Sequence, residues 1–585
     1  MRILLISSAF NSLTQRFHTV LRDRGHTVCV QLALGDDAIR EGVDRTDPHL
    51  ILAPMLTTTV PEDIWSTRTV LIIHPGPLGD RGPSSLDWAL HERARDWGVT
   101  VLQAGREMDA GDIWASVPFH VPPGISKSDL YRGEVADAAV EAGLLAVDRF
   151  AAGNWRPVPL DSGAGYVRGR LRPYHAQEYR RIDWKTDSTA AVLRKLRAAD
   201  SRPGVLEELY GTEYYLHGGH PEDELHDTVP GRFIATRDGA ICRATSDGAV
   251  WIAELRRRRT KGSTPAWKLP AADVLSSHLA QVPEVPVDPG DAAGRATYSQ
   301  IRYRESGPVG LLSFSFPGGA MSTDQCRRLL TAYRTACTRP TSVLVLGPER
   351  DIFSNGIHLG MIEAAADPAA ESWANINAMN DLVEAILTTT DRHIVAALSG
   401  NAAAGGLMMA LAADEVWCRE GAVLNPHYRT MGLYGSEYWT YTLPRRVGAE
   451  MAERLTTEAL PVSAAAARSM GLIDVLVPGS PGEYRAWVTR AAANLATSPM
   501  LATRLDQKKA RREQDERTKP LAAYRAAELD EMNRNFRGGP TEPYPSLRRA
   551  FVHKTRPPQT PARLILTCPH SYESDRAGTV ALSSV

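Results

Sequence analysis

Short apolar runs alternate with amphipathic segments over residues 1–115. Five of these runs have the length and composition of buried strands, at 2–7, 27–33, 49–54, 69–75 and 99–104. Residues 13–25, LTQRFHTVLRDRG, have the spacing of an amphipathic helix. This alternation predicts an open α/β fold with a largely parallel sheet. Ligands of such sheets bind at the carboxyl ends of the strands, so we expect the chemistry there.

The pattern changes after residue 155. Between 156 and 275 short strand-like pieces alternate with turns, which predicts a small β-rich domain. Residues 283–294, PEVPVDPGDAAG, have the composition of a linker. A second α/β region follows, with strand-like runs at 309–316, 341–348 and 393–400 and a helical segment at 373–387.

The sequence therefore predicts a multidomain α/β protein. Its predicted segments are an open α/β domain (1–155), a β-rich domain (156–280), a linker (281–300), a second α/β domain (301–555) and a loosely held tail (556–585).

Composition narrows the class of protein. A chain of 585 residues is too long for one domain, and a formal net charge of -1 gives no electrostatic reason to expect nucleic acid or an acidic membrane as partner. The apolar run 402–413 is too short to span a bilayer, and MRILLIS lacks a secretory pattern, so we predict a cytoplasmic protein. The six cysteines form no CxxC pair, which favours reduced thiols without a zinc site or a disulfide framework.

Two polar residues follow predicted strands of the first domain. His74 begins a Pro/Gly-rich loop, HPGPLGDRGPSS, and Asp109 lies in a similar loop after the next strand. A carboxylate can orient an imidazole and stabilise its charged form, so the pair is a candidate general acid/base. On spacing alone, a histidine at a strand end is more often a hydrogen-bonded loop residue.

The segment HPGxLxxxRGxxP, followed by VTxxxxxxxxDxGDI, closely resembles the 10-formyltetrahydrofolate transferases. The resemblance implies 10-formyltetrahydrofolate as substrate and places His74 and Asp109 in a catalytic Asn-x-His plus Asp trio. The Asn position holds Ile72 here, which puts ordinary formyl transfer to an amine in doubt. RRIDW and LRAADSRPGVLEELYG in the β-rich segment resemble the OB-like C-terminal subdomain of the same enzymes.

A glycine pair opens an apolar helix in SGNAAAGGLMMALAADEVW, residues 399–417. Backbone N–H groups at a helix start can stabilise a negative charge, although glycine turns can also simply permit close packing. Together with DIFSNGIHLG, LPRRVG and PVSAAAARSMGLIDVLV, this stretch resembles the crotonase (enoyl-CoA hydratase/isomerase) family. The resemblance implies an oxyanion hole for an acyl-CoA thioester, formed by the backbone N–H groups of Ile357 and Gly405.

The second domain departs from the hydratases at both catalytic positions. Met408 and His427 stand where hydratases carry glutamates, so hydration of a double bond is not expected. The polar residues left nearby are His427, Tyr428, Tyr434 and Glu437, and packing or surface roles are the alternative for each.

The combination of both halves resembles the HypX, or HoxX, family of hydrogenase maturation proteins, in HPGPLGDRGPSSLDWA, MDAGDIW, KSDLYR and NPHYRTMGLYGSEYW. The resemblance implies synthesis of carbon monoxide for the iron of [NiFe]-hydrogenase, by formyl transfer to the thiol of coenzyme A and decarbonylation of formyl-CoA. We expect Tyr428, Glu437 and His427 to move protons and a wall with Met408 to exclude water. Hydrogenase maturation proteins are candidate partners.

Coenzyme A carries phosphates, so basic and helix-start groups should cluster along its path. The candidates are Gln15, Arg16, Arg132, Ser201 and Lys554, each of which is individually a weak signal.

Two further motifs are interpreted as structural. The motif HGGHPEDELH is predicted to form a hairpin turn with solvated histidines, and not a metal site of His217, His220 and His226. The basic run RRRRTKG (256–262) is predicted to be a solvated loop. Two other functions stay open: a formyltransferase for another acceptor with a silent crotonase domain, and a non-enzymatic maturation scaffold. The oligomeric state also stays open.

Overall fold

The structure is a computed structural model that describes residues 1–161, 167–260, 262, 266–347, 352–539 and 541–565. These residues form three six-stranded sheets and one three-stranded sheet, with helices packed around them. The predicted multidomain α/β class is therefore confirmed.

The first sheet is mixed, with three parallel and two antiparallel strand pairings. Its strand order is β2-β1-β3-β4-β5-β6, and the first four strands of that order run parallel. The strands are β1 Arg2–Ser7, β2 Thr27–Leu32, β3 Leu50–Met55, β4 Val70–His74, β5 Asp96–Gln103 and β6 Ile113–His120. The helices are α1 Ser12–Asp23, α2 Asp36–Thr46, α3 Glu62–Trp65, α4 Ser85–His91, α5 Lys127–Leu130 and α6 Ala136–Ala152, with a π-helical turn at Tyr131–Val135.

Both faces of this sheet are covered, which explains the unbroken apolar runs in the sequence. Ile3 and Leu5 of β1 pack into one hydrophobic cluster, while Leu4 and Ile6 pack into another on the opposite face. Because side chains alternate between faces along a strand, burial on both sides requires apolar residues at every position.

The direction of β5 departs from the largely parallel sheet that the sequence predicts. β5 pairs antiparallel with β4, and Gln103 at its end lies opposite Leu71 at the start of β4. The loop 104–112 therefore has to fold back along the sheet before Asp109 can approach His74. An apolar run predicts a buried strand but carries no signal for its direction.

The β-rich domain is a sheet of order β7-β8-β11-β10-β9, with β12 paired to β11. Its strands are β7 Val205–Leu209, β8 Thr212–Glu222, β9 Phe233–Arg237, β10 Ala240–Ala244, β11 Ala249–Arg257 and β12 Leu269–Pro270. Helices α7 Gln177–Arg180, α8 Thr189–Ala199 and α9 Ala271–Val274 and the 3-10 turn Ser276–His278 accompany it, and α10 Pro289–Ala292 follows in the predicted linker.

One sequence interpretation in this domain is wrong and another holds only in part. HGGHPEDELH does not form a hairpin turn at its glycines, because β8 runs straight through them and His217 is fully buried. The run of arginines is a solvated loop only after the strand: Arg256 belongs to β11, with its guanidinium over the ring of Tyr215, whereas Arg258 and Arg259 follow β11 and are exposed.

The predicted linker packs against the β-rich sheet. Residue 285 donates a backbone hydrogen bond to Thr236, and the buried Arg237 side chain donates to the carbonyls of Val285 and Tyr298. These bonds attach the segment to the edge strand β9.

The second α/β domain contains the sheet β13-β14-β15-β16-β18-β21 and the small sheet β17-β19-β20. The strands are β13 Ile301–Ser306, β14 Val309–Phe314, β15 Val343–Leu346, β16 His393–Leu398, β17 Ala402–Ala403, β18 Glu415–Arg419, β19 Val423–Asn425, β20 Val462–Ser463 and β21 Val475–Val477. The predicted strands at 309–316, 341–348 and 393–400 correspond to β14, β15 and β16.

Helices surround this second sheet. They are α11 Thr323–Cys337, α12 Leu359–Ala364, α13 Pro368–Thr388, α14 Gly405–Leu411, α15 Trp439–Val447, α16 Ala449–Glu458, α17 Ala464–Ser469, α18 Pro481–Ala496, α19 Leu501–Thr518, α20 Leu521–Arg537 and α21 Tyr544–Val552, with 3-10 turns at Pro317–Gly319 and Tyr428–Met431.

The predicted tail packs against the first domain at residues 560–565. Thr560 hydrogen-bonds Gln31 and Leu32, and helix α22, Ala562–Ile565, buries Leu564 in the core of the first domain. Residues 566–585 lie outside the described residues.

Four of the six cysteines, Cys242, Cys326, Cys337 and Cys418, are free thiols. Cys568 lies outside the described residues. None of the described helices combines the length and apolar character that a membrane span requires.

Candidate active sites

His74, at the end of β4, lies between two carboxylates. Its Nδ1 atom is 3.4 Å from Oδ1 of Asp109, and its Nε2 atom is 2.9 Å from Oδ2 of Asp80. Asp109 has a left-handed backbone with φ of 55°, and its Oδ2 accepts a hydrogen bond from the N–H of Gly82. The sequence predicted Asp109 as a partner of His74 but not Asp80.

Asp80 is held in turn by Arg172, which lies 92 residues later in the chain. Its Oδ1 accepts from Arg172 at 2.7 Å, and the same guanidinium donates to Glu92 at 2.8 Å. Gly76 lets the loop close around this group, since a Cβ there would lie 2.3 Å from Asp80 Oδ2 and 2.4 Å from His74 Nε2. The glycine of HPG is therefore sterically required.

The two carboxylates decide the charge of His74. Burial disfavours the imidazolium, but Asp109 and Asp80 outweigh it and raise the pKa of His74 to about 9. Burial likewise opposes ionisation of Asp109, yet its hydrogen bond to His74 leaves the pKa of Asp109 below the ordinary value. At neutral pH the histidine is therefore a buried cation that can donate a proton.

The second candidate site is formed where two loops meet. Ser354 pairs with Ala402, Ala403 donates to the carbonyl of Ser354, and a Cβ on Gly356 would lie 3.1 Å from the nitrogen of Gly405. Within the described residues, the N–H groups of Ile357 and Gly405 donate no hydrogen bond to the protein. Both are therefore free to bind a ligand oxygen, as an oxyanion hole requires.

Glu437 lies directly against Gly405 and lines the same cavity as Ile357. A Cβ on Gly405 would be 2.1 Å from Oε1 of Glu437, and the hydroxyl of Tyr428 donates to Oε2 of Glu437 at 2.8 Å. Burial raises the pKa of Glu437 to about 8 and that of Tyr428 well above its ordinary value. A carboxyl that titrates near neutral pH suits proton transfer.

The turn that carries Glu437 has an unusual backbone. Glu437 and Tyr438 both have positive φ, 60° and 58°, although neither is glycine. Asn380 of α13 accepts from the N–H of Glu437 at 2.8 Å and donates to the hydroxyl of Ser436 at 2.9 Å. Such strained residues persist where the surrounding structure holds them, often at functional sites.

The other polar candidates of this segment differ in their placement. His427 lines the cavity described below, and its Nδ1 donates to the carbonyl of Asn425 at 2.9 Å; burial lowers the pKa of His427, so the ring is neutral. Tyr434 is exposed.

The apolar wall of the second site does not include Met408. This residue is fully buried in the domain core, which corrects its expected place in the wall. The wall is formed instead by Ile376, Met431, Leu433 and Met532.

One cavity of about 1100 Å³ connects the first domain, the β-rich domain and the second domain. One end reaches the loop of His74 at Pro83 and Ser84, although among the described residues His74 and Asp109 are not themselves part of the wall. The other end is lined by the candidates of the second site: Ile357, Gly405, His427, Tyr428 and Glu437.

The middle of the cavity is rich in cations. Its wall contains Lys127, Arg180, Arg202, Arg256, Arg259, Lys268 and Lys554, accompanied by the acids Asp87 and Glu254. Arg180 and Lys127 both bind Asp87, at 2.7 and 2.9 Å, and Lys268 binds Glu254 at 2.9 Å. The excess of positive charge makes this stretch suitable for an anionic ligand.

The five predicted coenzyme A contacts divide into two groups. Gln15, Ser201 and Lys554 line the large cavity, where Lys554 lies 4.2 Å over the ring of Phe551. Arg16 and Arg132 line a small adjoining pocket of about 30 Å³ instead. Arg16 is ion-paired with Asp137, which also binds Arg419 of the second domain.

Sequence reasoning missed several residues of both sites. Asp80 is visible in the quoted HPGPLGDRG motif, but nothing local shows that it contacts His74. Arg256 and Arg259 belong to the run dismissed as a solvated loop, and Asn380 and Glu528 have no signal in the sequence near Glu437. Within the described part of the chain, no three His, Cys, Asp or Glu side chains are grouped to hold a metal ion.

The fold and the two sites define the class of protein: a formyltransferase-like module joined to a crotonase-like module. Two family models match accordingly, the formyl transferase C-terminal domain over residues 176–268 and enoyl-CoA hydratase/isomerase over residues 318–540. A methionyl-tRNA formyltransferase of Roseiflexus castenholzii is 30% identical over 203 residues, which are 34% of this chain and 61% of that protein.

Two relatives match both modules together. The hydrogenase maturation factor HoxX of Bradyrhizobium diazoefficiens is 47% identical over 564 residues, 96% of each chain. The crystal structure of HypX from Aquifex aeolicus in complex with tetrahydrofolic acid is 42% identical, with a TM-score of 0.92 over 97% of this chain and 98% of that one. The chain belongs to the HoxX/HypX family of hydrogenase maturation factors, as its sequence predicted.

Proposed function

We propose that this protein makes carbon monoxide from 10-formyltetrahydrofolate, using coenzyme A as second substrate, and so supplies the CO ligand of the [NiFe]-hydrogenase iron. The observation that carries the proposal is the continuous cavity, which runs from the His74 loop to Glu437 past a belt of cations. The folate complex of the Aquifex aeolicus HypX structure supports a folate substrate for the first site.

The cavity fits coenzyme A in size and charge. Pockets for drug-sized ligands commonly have volumes of about 300–1,000 Å³. A cavity of about 1100 Å³ therefore has room for a larger ligand, and phosphates bind preferentially to arginine and lysine. Arg202, Arg256 and Arg259 from the β-rich domain, together with Lys554, would hold the phosphates. The pantetheine arm would then lie along the apolar wall, where its thiol can approach either site.

In the first half-reaction His74 acts as a general acid. The thiol sulfur forms a bond to the formyl carbon, the bond from that carbon to N10 of the folate breaks, and N10 receives a proton from the imidazolium. The thiol proton released on attack restores the charge of His74, so protons and atoms balance. Transfer to a thiol, which ionises readily, needs no strong base, in contrast to transfer to a protonated amine.

Ile72 is compatible with this reaction. It lies two residues before His74 on β4 and therefore on the same face of the strand, where it packs against an apolar cluster. An isoleucine side chain cannot hydrogen-bond the formyl oxygen. The negative charge that develops on this oxygen would therefore be stabilised by the imidazolium of His74. This replacement argues against an amine acceptor and for a better nucleophile.

In the second half-reaction formyl-CoA gives carbon monoxide and coenzyme A. The N–H groups of Ile357 and Gly405 bind the carbonyl oxygen, the formyl C–H and C–S bonds break, and the formyl hydrogen moves as a proton to the departing sulfur. Tyr428 and Glu437, joined by a 2.8 Å hydrogen bond, would carry this proton, with the neutral His427 beside them. The apolar wall excludes water, which would otherwise hydrolyse the thioester to formate.

The decisive experiment is a CO assay. The purified protein is mixed with 10-formyltetrahydrofolate, with and without coenzyme A, and ferrous myoglobin traps the CO. We expect release that requires both substrates and is lost in His74→Ala and in Glu437→Gln. Supplied formyl-CoA should restore release in His74→Ala but not in Glu437→Gln. Formation of formate or a formylated amine without CO would refute the proposal and favour a formyltransferase with a silent crotonase domain.

A further inference from the structure

A second buried carboxylate lies behind Glu437. Glu528, on helix α20, is fully buried, and both of its oxygens accept hydrogen bonds from the turn 436–440. Oε2 accepts from the N–H of Tyr438 at 2.9 Å, and Oε1 accepts from the N–H of Thr440 at 2.9 Å and from its hydroxyl. The hydroxyl of Ser436 also lies 3.4 Å from Oε2.

These hydrogen bonds stabilise the part of the turn whose backbone conformation is least favourable. Glu437 and Tyr438 have left-handed backbones, a conformation that is unfavourable for residues other than glycine. Helix α15 begins directly after them at Trp439, and Glu528 satisfies N–H groups at that helix start. Without the carboxylate, these donors would be buried and unpaired.

Ser436 connects the two carboxylates. Its N–H donates to Oε2 of Glu437 at 3.2 Å, while its hydroxyl faces Glu528. Within the described residues, neither glutamate forms an ion pair with a lysine, arginine or histidine. The other titratable groups around the pair are Tyr428, Tyr434, Tyr438 and Cys326, all of which are neutral near pH 7, and more distantly Glu384, Arg525 and Glu531.

We propose that Glu528 is a positioning residue for the second half-reaction, which fixes the strained turn that presents Glu437 and places a negative charge beside it. The inference rests on the proposed function, in which Glu437 moves a proton. Burial is the main cause that raises the pKa of Glu437 to about 8, and the charge of Glu528 acts in the same direction. Burial also raises the pKa of Glu528, to about 7, so Glu528 ionises before Glu437 and its charge then favours the protonated form of Glu437.

Three variants separate charge from hydrogen bonding. Glu528→Gln removes the charge but keeps the size of the side chain, and Thr440→Val removes one donor while the charge stays. Glu531→Gln is the matched control, because Glu531 lies on the same helix but pairs with Arg534 at the surface. Circular dichroism and thermal melting verify that each variant is folded.

Two readouts are used. The first is the infrared band of the protonated Glu437 carboxyl, assigned by its loss in Glu437→Gln and titrated with pH; it requires no turnover. The second is kcat and KM for CO release from supplied formyl-CoA. We expect Glu528→Gln to lower the midpoint of the band by about one pH unit and kcat by about tenfold, with KM changed less than threefold. Thr440→Val should lower kcat about threefold without moving the midpoint, and Glu531→Gln should change neither.

Wild-type midpoint and kcat in a folded Glu528→Gln variant would overturn the inference. If Glu528→Gln does not fold, an unchanged kcat in Thr440→Val overturns it equally. Absence of CO from the wild-type protein would instead refute the proposed function, and the infrared midpoint would still show whether Glu528 acts on Glu437.

Discussion

The contributions of the two candidate sites to the reaction can be measured separately by adding one methyl group, as a glycine-to-alanine substitution, to either site. In Gly405→Ala the new Cβ would lie 2.1 Å from Oε1 of Glu437 and 2.5 Å from its Cδ. Real Cβ atoms do not approach so closely, and Glu437 is enclosed on all sides, so the carboxyl or the N–H of residue 405 must move. The variant therefore damages the oxyanion hole and its neighbouring acid at once.

The expected loss follows from the role of that N–H group. Removal of one oxyanion donor lowers kcat by about 10²–10³. We therefore expect CO release from formyl-CoA to fall at least about a hundredfold in Gly405→Ala, because Glu437 is displaced as well. Formyl transfer to coenzyme A depends on His74 in another sheet and should continue, so formyl-CoA should accumulate.

Gly76→Ala should have the opposite effect. Its Cβ would lie 2.3 Å from Asp80 Oδ2 and 2.4 Å from His74 Nε2, so formyl transfer should be lost. The same protein should release CO from supplied formyl-CoA at the wild-type rate. Each variant should therefore lose one half-reaction and keep the other.

The assay measures both half-reactions in quenched samples, with formyl-CoA determined by chromatography and CO by ferrous myoglobin. Gly482→Ala and Gly105→Ala are the controls: the nearest atom to a Cβ on Gly482 is 4.0 Å away, and no described atom lies within 4 Å of one on Gly105. If Gly405→Ala reduced both half-reactions equally, or left CO release intact, the assignment of the second site would be wrong.

Three further predictions concern pH and binding. Glu437 ionises near pH 8 when folded but near 4.5 when unfolded, so its contribution to stability falls as pH rises between these values. Between pH 6 and pH 8 the free energy of unfolding of Glu437→Gln should therefore rise by about 2 kcal/mol relative to that of the wild type, which is measured as a change in the difference between their Tm values. A Tm difference that stays constant over this pH range would contradict the prediction. Because His74 must be protonated to act as an acid, formyl transfer should decline as pH rises through about 9, and Asp80→Asn should move this decline to lower pH; an unmoved profile would exclude Asp80 from the site. Arg259→Ala should raise the Kd for coenzyme A about tenfold by calorimetry, whereas Arg258→Ala, whose guanidinium pairs with Glu213, should not; equal effects would refute the cation belt.

The sequence by itself determined the local elements and the motifs. Strands such as β1 and β4 were predictable because side chains buried on both faces must be apolar at every position. His74 and Asp109, and likewise Ile357 and Gly405, were found because each lies in a short segment whose spacing resembles that of a known family. The departures at Ile72 and Met408 were equally visible, since they are single substitutions inside such segments.

Only the tertiary structure decided which distant residues meet. An apolar run does not encode its direction, so the antiparallel β5 and the returning loop of Asp109 could not be predicted. Asp80 reaches His74 because Arg172, about ninety residues later, neutralises and holds it, and Glu528 reaches the turn of Glu437 from another helix. Whether Arg256 and Arg259 face solvent or a shared cavity likewise depends on how three domains pack. Periodicity along a chain reflects burial on one element, whereas a site depends on contacts between elements, which packing and charge pairing establish only in the folded protein.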